Sequence, residues 1–258
     1  MRYALPDRRP QAPPRYHQSP LIPENPLVTC VMLTLDSREK MARGAVRRFL
    51  RSQAGVDAEL LVVYDAGHQV THEGPRVRGV DSEGLRIPAK YQTGFGAVKT
   101  PIAAKCDDDD WYSADRLRRQ IQPILDGKAD IVSLHEDYAL LLTDGTWWRS
   151  MHRHLNAYHD GTVVLRSDLI PIAPVPDFVP GETWRWVSAL VAEGARHEVI
   201  PAKEDFVYIR HTTNTWVINR MREQFVPTKR PEWFPEEDLK VMAEATTAMI
   251  TAKSTKTR

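Results

Sequence analysis

The sequence predicts an α/β protein in which helices flank a mostly parallel central sheet. Residues 27–35 form a near-continuous apolar run, which is typical of a central parallel strand buried on both faces. A helical segment and a second apolar run follow as far as residue 64, and this order indicates a parallel βαβ unit. A further short apolar segment, residues 101–106, ends in four consecutive aspartates. Ligands of such sheets bind at the carboxyl ends of the strands, so a site is expected here.

The first βαβ unit has recognisable boundaries. Asp36 and Ser37 offer a helix cap after the first strand, and residues 39–53 carry apolar side chains at helical spacing. Residues 58–64 then form the second strand, which runs into Asp65. A carboxylate therefore follows the carboxyl end of this strand as well.

The middle of the chain continues the alternation of strands and helices. We expect a short strand at 76–80, a helix around 90–97 loosened by two glycines, the strand at 101–106, and a helix over 114–125 that Pro123 ends or kinks. The acidic segment thus lies between a strand and a helix.

The second half of the chain predicts a smaller antiparallel part beside the main sheet. Residues 138–142 and 146–149 form a hairpin, because Asp-Gly between them suits a tight turn. The other expected elements are strands at 130–134, 162–166 and 204–210 and a helix over 182–193.

Three regions are expected along the chain. Residues 1–26 hold seven prolines and are expected to form an extended arm. Residues 27–226 are expected to form the main domain, and residues 227–258 a linker, an amphipathic helix over 236–251 and a tail.

Composition excludes several classes of protein. Lysine and arginine total 35 against 34 aspartates and glutamates, so the net charge is +1. A chain with so little net positive charge is not expected to bind duplex nucleic acid. Two cysteines make no disulfide framework and indicate a reducing compartment. No apolar run reaches the length of a membrane span, and the first residues carry no secretory signal. We therefore expect a cytoplasmic protein without a transmembrane segment.

The four aspartates from Asp107 to Asp110 suggest a bound cation, because adjacent carboxylates repel one another. Mg²⁺ and Mn²⁺ take oxygen ligands, commonly one or two carboxylates together with substrate phosphates. The alternative is a solvated acidic loop or the acidic start of a helix.

Five segments in order carry a resemblance to a known family. They are Leu33-Thr34-Leu35-Asp36, Tyr64-Asp65-Ala66-Gly67, Ala89-Lys90-Tyr91, Asp107 to Trp111 with the following Ala114-Asp115-Arg116-Leu117, and Gly181-Glu182-Thr183-Trp184. With these segments, residues 27–216 resemble the family 2 type of GT-A-fold glycosyltransferases. The acidic segment and its flanks are the specific part of the resemblance.

The resemblance implies a GT-A (Rossmann-like) fold and a glycosyltransferase activity. The enzyme would move a sugar from a nucleotide-sugar donor, with a UDP-sugar favoured, to the hydroxyl of a glycan, a protein or another acceptor. The transfer would invert the configuration of the sugar. The resemblance implies Mn²⁺ or Mg²⁺ as cofactor, which would stabilise the leaving diphosphate as a Lewis acid. It makes Asp109 the favoured metal ligand and Asp107, Asp110 and His211 the further ligands. Neutral imidazole suits Mn²⁺ as a ligand.

The resemblance also assigns residues to donor binding and to the role of general base. Thr34, Asp65 and Lys90 resemble the positions that contact base and phosphates, and Asp108 would bind ribose. Asp65 as a turn residue and Lys90 as a solvated helix lysine are the alternatives. Glu182 is the candidate general base, since a carboxylate partly screened from water suits that role, and an acidic helix start is its alternative.

The sequence departs from the family at three places, which leaves other functions open. Where the family has an aspartate, this chain has Tyr64, and where it has an arginine-asparagine pair, this chain has Lys90-Tyr91. Thr183 likewise replaces an aspartate of the family. One alternative is a sugar-phosphate nucleotidyltransferase, although no glycine follows the first strand as those enzymes require. The other is a catalytically silent relative that binds carbohydrate or protein.

Overall fold

A computed structural model describes residues 26–35, 38–51, 55–65, 76–82, 84–135, 137–151, 158–177, 181–211 and 223–244 of the 258-residue chain. Two sheets and the helices around the larger one make up this part of the chain, so the predicted fold class is confirmed. The expected arm at 1–26 and the tail after 244 fall almost entirely outside the described residues.

The larger sheet has seven strands and is mostly parallel. In spatial order they are β10 (His197–Pro201), β6 (Ile131–His135), β9 (Val164–Arg166), β4 (Ile102–Asp107), β1 (Val28–Leu33), β2 (Ala58–Tyr64) and β3 (Val77–Asp81). Strands β4, β1, β2 and β3 run parallel to one another, while β9 pairs antiparallel with both β4 and β6. The central strands β1 and β4 are buried along almost their whole length, as their unbroken apolar sequence predicts.

Helices cover both faces of this sheet. They are α1 (Glu39–Arg51), α2 (Ile87–Gly96), α3 (Arg116–Leu125) and α4 (Glu182–Ala192). One face packs on α1 and α3 and the other on α2 and α4. The glycine at 94, expected to loosen its helix, instead lets α2 approach the sheet, because a Cβ there would lie 2.7 Å from side-chain methyls of Val31 and Val63.

The smaller sheet has five strands and is mostly antiparallel. Its order is β12 (Phe225–Thr228), β8 (Thr146–Ser150), β7 (Tyr138–Leu141), β11 (Phe206–Arg210) and β5 (Trp111–Tyr112). The predicted hairpin is β7 and β8. Because β5 begins immediately after the four aspartates and pairs with β11, the acidic segment joins the two sheets.

The segment after residue 226, expected to be a linker, continues the smaller sheet. The boundary at 226/227 falls inside β12, and Trp233 and Phe234 pack on the aromatic ring of Trp111. A last helix, α5 (236–244), follows, and its Asp238 accepts a hydrogen bond of 2.8 Å from the indole N–H of Trp111. The rest of the helix expected over 236–251 lies outside the described residues.

Three strands were not predicted, and each lacks an ordinary strand signal. β5 has two residues, β10 is a half-exposed edge strand, and β12 contains a proline, which is tolerated at a sheet edge. Within the described ranges, no helix is long and apolar enough to cross a membrane.

Candidate functional site

The acidic segment lies at the carboxyl end of β4, beside the central strand of the larger sheet. Side chains alternate along a strand, and here Cys106 packs in the core on the α1 and α3 face. Lys105 and Asp107 therefore point to the other face, where Tyr91 on α2 lies below them. The four carboxylates divide by their partners and not by exposure: we call Asp108 and Asp109 the outer pair and Asp107 and Asp110 the inner pair, although the side chain of Asp107 is the most exposed of the four, at 21%.

The outer pair is held by one arginine. Nη1 of Arg38 lies 2.9 Å from Oδ1 of Asp108 and 3.0 Å from Oδ2 of Asp109. The hydroxyl of Thr34 donates to the other oxygen of Asp108 at 2.9 Å. Nε2 of His211 lies 3.0 Å from the same Oδ2 of Asp109 that Arg38 contacts. Thr34, Asp108, Asp109 and His211, four residues that the sequence predicts for the site, are thus joined through side-chain contacts.

The electrostatics of the outer pair are unequal. Burial raises the pKa of Asp108 to about 7, against the opposing effect of Arg38. Burial acts on Asp109 too, but Arg38 and His211 outweigh it and lower the pKa of that carboxyl. Asp109 is therefore the more acidic carboxyl of the outer pair.

The inner pair is held by groups fixed in the fold. Oδ1 of Asp107 accepts a hydrogen bond of 2.9 Å from the Tyr91 hydroxyl and lies 3.4 Å from Nζ of Lys105. Oδ1 of Asp110 accepts from the backbone N–H of Ile209 at 2.9 Å. Burial, together with the charges of Asp109 and Asp107, raises the pKa of Asp110 well above its ordinary value.

Both inner carboxylates lie against Gly161, in the loop that precedes β9. A Cβ at this position would stand 2.5 Å from Oδ2 of Asp107 and 3.0 Å from Oδ2 of Asp110. The carbonyl of Gly161 in turn accepts from the Tyr112 hydroxyl at 3.0 Å. Only a residue without a side chain allows this loop to approach the acidic segment so closely.

Asp65 and Lys90, which the sequence assigns to donor binding, form an ion pair with each other. The Lys90 side chain is buried, whereas that of Asp65 is a quarter exposed. This pair joins the end of β2 to the first turns of α2.

Glu182, the candidate base, is buried at the first position of α4. A second carboxylate, Asp160, lies near the same helix end, where the backbone N–H of Trp184 lowers its pKa. Burial raises the pKa of Asp160 to about 6, Lys105 opposes this, and the charges of Glu182 and Asp107 add to it. The buried start of α4 therefore holds two carboxylates where the sequence predicts one.

Asp109 and His211 are the side chains that fit a divalent metal ion. A carboxylate oxygen and an imidazole nitrogen in contact suit Mn²⁺ or Mg²⁺ better than a softer ion. Within the described ranges, no three histidine, cysteine, aspartate or glutamate side chains group closely enough to hold a metal by themselves. The residues therefore fit an ion that takes its remaining ligands from phosphate oxygens and water.

Sequence reasoning missed four residues of this region: Arg38, Lys105, Asp160 and Gly161. For Lys105 a signal existed, because a lysine in an apolar strand is rarely buried without a partner. The other three come from distant segments, and only the fold brings them to the acidic segment. His159 lies in this region too, whereas the histidines at 152 and 154 lie outside the described residues.

Comparison by sequence finds no relatives. No family model matches the chain, and no curated protein matches it.

Comparison by structure finds glycosyltransferases. The mannosyltransferase PcManGT from Pyrobaculum calidifontis, solved with GDP-Man and Mn²⁺, has a TM-score of 0.57 and 13% identity over 95% of this chain and 79% of that chain. S. aureus TarS, solved with UDP-GlcNAc, has a TM-score of 0.56 and 12% identity over 73% of this chain. The match covers 60% of that TarS chain, less than two thirds of its length. At such identities the likeness establishes the fold alone, which this chain shares with these two glycosyltransferases.

Proposed function

We propose that this protein is a metal-dependent glycosyltransferase that moves a sugar from a nucleotide-sugar donor to an acceptor hydroxyl, with inversion. The observation that carries the proposal is the contact of Asp109 with His211 at the end of β4. The neighbours in fold support it, since TarS binds UDP-GlcNAc and PcManGT binds GDP-Man with Mn²⁺. UDP- and GDP-sugars are therefore the donors to test first.

On the donor side, Asp109 and His211 would hold Mn²⁺ or Mg²⁺. Such an ion supplies positive charge to the diphosphate as the bond to the sugar breaks. Arg38 contacts the same oxygen of Asp109 that faces His211. Arg38 would have to yield this oxygen to such an ion, while its contact with Asp108 could remain.

The nucleoside is assigned to the residues around the outer pair. Asp108 accepts hydrogen bonds and could exchange the Thr34 hydroxyl for a ribose hydroxyl. Asp65 could accept from the N–H of the base, and its partner Lys90 offers a charge to the diphosphate. Asp107 and Asp110, proposed from the sequence as further ligands, would support the loop rather than the ion, because both face Gly161.

On the acceptor side, Glu182 would take the proton of the attacking hydroxyl. Its burial at a helix start screens it from water, which general-base catalysis favours. A carboxylate that removes the proton of the acceptor while the diphosphate leaves would fit a single displacement and hence inversion.

A thermal-shift panel tests this function. We expect UDP or GDP to raise the melting temperature of the full chain in the presence of MnCl₂ and to do so much less in EDTA, because a ligand of the native state stabilises it. Incubation with UDP-GlcNAc or GDP-mannose should then release nucleoside diphosphate slowly, with water as acceptor. No shift with any nucleotide would reject the proposal, and a shift without release would favour the silent relative.

A further inference from the structure

Asp238, in the first turn of α5, contacts the segment that carries the proposed metal ligand. Its Oδ2 accepts a hydrogen bond of 2.8 Å from the indole N–H of Trp111, which follows Asp110 in the chain. Both side chains are enclosed, since Trp111 is 5% exposed and the side chain of Asp238 is 14% exposed. A hydrogen bond to a carboxylate is stronger than one between neutral groups. The proposed function assigns a part to neither residue of this contact.

The strand that begins at Trp111 is short. β5 consists of Trp111 and Tyr112 and lies at the edge of the smaller sheet, where it pairs with β11. A pairing of two residues contributes little by itself, because even a complete two-stranded hairpin is only marginally stable in water. Side-chain contacts must therefore fix the place of β5.

Such contacts hold β5 at both ends. Before the strand, Oδ1 of Asp110 accepts a hydrogen bond of 2.9 Å from the backbone N–H of Ile209 in β11. After the strand, the hydroxyl of Ser113 donates to a carboxylate oxygen of Asp205 at 2.7 Å, immediately before β11. The middle of β5 depends on what holds the side chain of Trp111.

Two kinds of contact hold Trp111. The rings of Trp233 and Phe234 pack on its indole, with centroids 5.8 and 5.0 Å away. Such apolar packing is non-directional, whereas the hydrogen bond to Asp238 fixes the direction of the indole N–H. Oδ1 of Asp238 also lies 3.6 Å from Nη2 of Arg51, whose side chain is 62% exposed, and a pair of this kind contributes little. The hydrogen bond to Trp111 is thus the contact through which Asp238 acts.

The place of β5 decides where the proposed metal ligands stand. His211 follows the last residue of β11, and Asp109 lies two residues before β5. Nε2 of His211 and Oδ2 of Asp109 are 3.0 Å apart. Because one ligand is attached to β11 and the other to β5, a shift of β5 along or away from β11 changes this distance.

We propose that Asp238 is a positioning residue for the metal site: by holding the indole of Trp111 it fixes β5, and with it the distance between Asp109 and His211. This inference rests on the proposed function and deepens it, because it makes α5 a part of the donor site. Asp238 acts through Trp111 and is not itself a ligand. The role requires its acceptor oxygen rather than its charge.

The first test compares Asp238→Ala with wild type in the binding of Mn²⁺, measured by electron paramagnetic resonance of free Mn²⁺ with saturating UDP or GDP. We expect the dissociation constant to rise about 10-fold, the lower end of the range for residues that orient metal ligands. Glu237→Ala removes an exposed carboxylate from the same turn of α5 and should leave the constant unchanged. A constant for Asp238→Ala within about 2-fold of wild type would overturn the inference.

Conservative variants separate the acceptor from the charge. Asp238→Asn keeps a carbonyl oxygen that can accept from the indole, so its Mn²⁺ dissociation constant should stay within about 3-fold of wild type. Trp111→Phe removes the donor and keeps an aromatic ring, and the double variant with Asp238→Ala should bind Mn²⁺ little more weakly than the weaker single variant. A loss in Asp238→Asn as large as in Asp238→Ala, or losses that multiply in the double variant, would contradict the proposal.

Hydrogen exchange of the free protein tests the place of β5 without a ligand. The Ile209 N–H, which donates to Asp110, should exchange about 10-fold faster in Asp238→Ala, while that of Val31 in the buried β1 should exchange as in wild type. Unchanged exchange at Ile209, or equal acceleration at both residues, would count against positioning and reject the inference. If Asp238→Ala does not fold, as judged by circular dichroism, Trp111→Phe takes its place with the same expectations.

Failure of the proposed function gives a different result. A wild-type chain with neither nucleotide-induced thermal shift nor release of nucleoside diphosphate rejects the function, and with it the metal site that Asp238 would position. A wild-type chain that binds Mn²⁺ and nucleotide, beside an Asp238→Ala variant that binds them equally well, rejects this inference alone.

Discussion

The outer and inner pairs of the acidic segment differ in what neutralises them. Asp108 and Asp109 contact the side chains of Arg38 and His211, groups that could pair with a phosphate or a metal ion instead. Asp107 and Asp110 contact the Tyr91 hydroxyl, the buried ammonium group of Lys105, the backbone N–H of Ile209 and the Gly161 loop, all of which are enclosed in the framework. A ligand can replace the first kind of partner but not the second. Four identical residues in a row thus divide into an exchangeable half and a fixed half.

The largest effect is expected from breaking the exchangeable half. Asp109→Ala should abolish the metal-dependent part of the UDP- or GDP-induced thermal shift and lower nucleoside diphosphate release by at least about 100-fold, because the ion loses its ionised ligand. The fold should survive, since Arg38 keeps its contact with Asp108.

The matched control for that change is Asp126→Ala, which removes an exposed carboxylate paired only locally with Lys128 and Gln122. It should leave both the shift and the release unchanged. Metal-dependent nucleotide binding that persists in Asp109→Ala would remove Asp109 from the metal site.

The next effect is expected from Glu182, the candidate base at the start of α4. Glu182→Gln keeps the size of the side chain and removes its basicity, so donor binding should remain while nucleoside diphosphate release falls about 10²- to 10⁴-fold. The measurement is the thermal shift and the release rate on the same preparation. Full activity in Glu182→Gln would rule the residue out as base and turn attention to Asp160.

The smallest effect is expected from removing Arg38, the cation that contacts the outer pair, rather than one of the carboxylates. Arg38→Met frees Asp109 from a cation, so binding of Mn²⁺ without nucleotide should tighten about 3- to 10-fold, the scale of one partly exposed ion pair. Electron paramagnetic resonance of free Mn²⁺ gives this constant directly. Arg43→Met, which removes a pair with Glu39 on the same helix, is the control. Unchanged Mn²⁺ binding in Arg38→Met would show that Arg38 does not compete with the ion.

Much of the fold could be predicted, because its signals are local. The apolar runs of β1, β2 and β4 and the spacing in the helices decide secondary structure within a few residues. The contact between Asp109 and His211 was predictable only through the family resemblance, since 102 positions separate the two residues. The roles of Arg38 and Asp160 could not be foreseen, because a lone charged residue near a turn is usually solvated. In the fold both are drawn to the acidic segment by tertiary contacts.

Gly161 limits which substitutions homologues of this chain can carry. Its missing side chain is the space that the carboxylates of Asp107 and Asp110 occupy. A homologue with alanine at this position must have turned one of those two carboxylates away, shortened its side chain or moved the loop. The three positions are therefore expected to change together among relatives, so substitution at 161 marks lineages in which the inner carboxylates have been lost or rearranged.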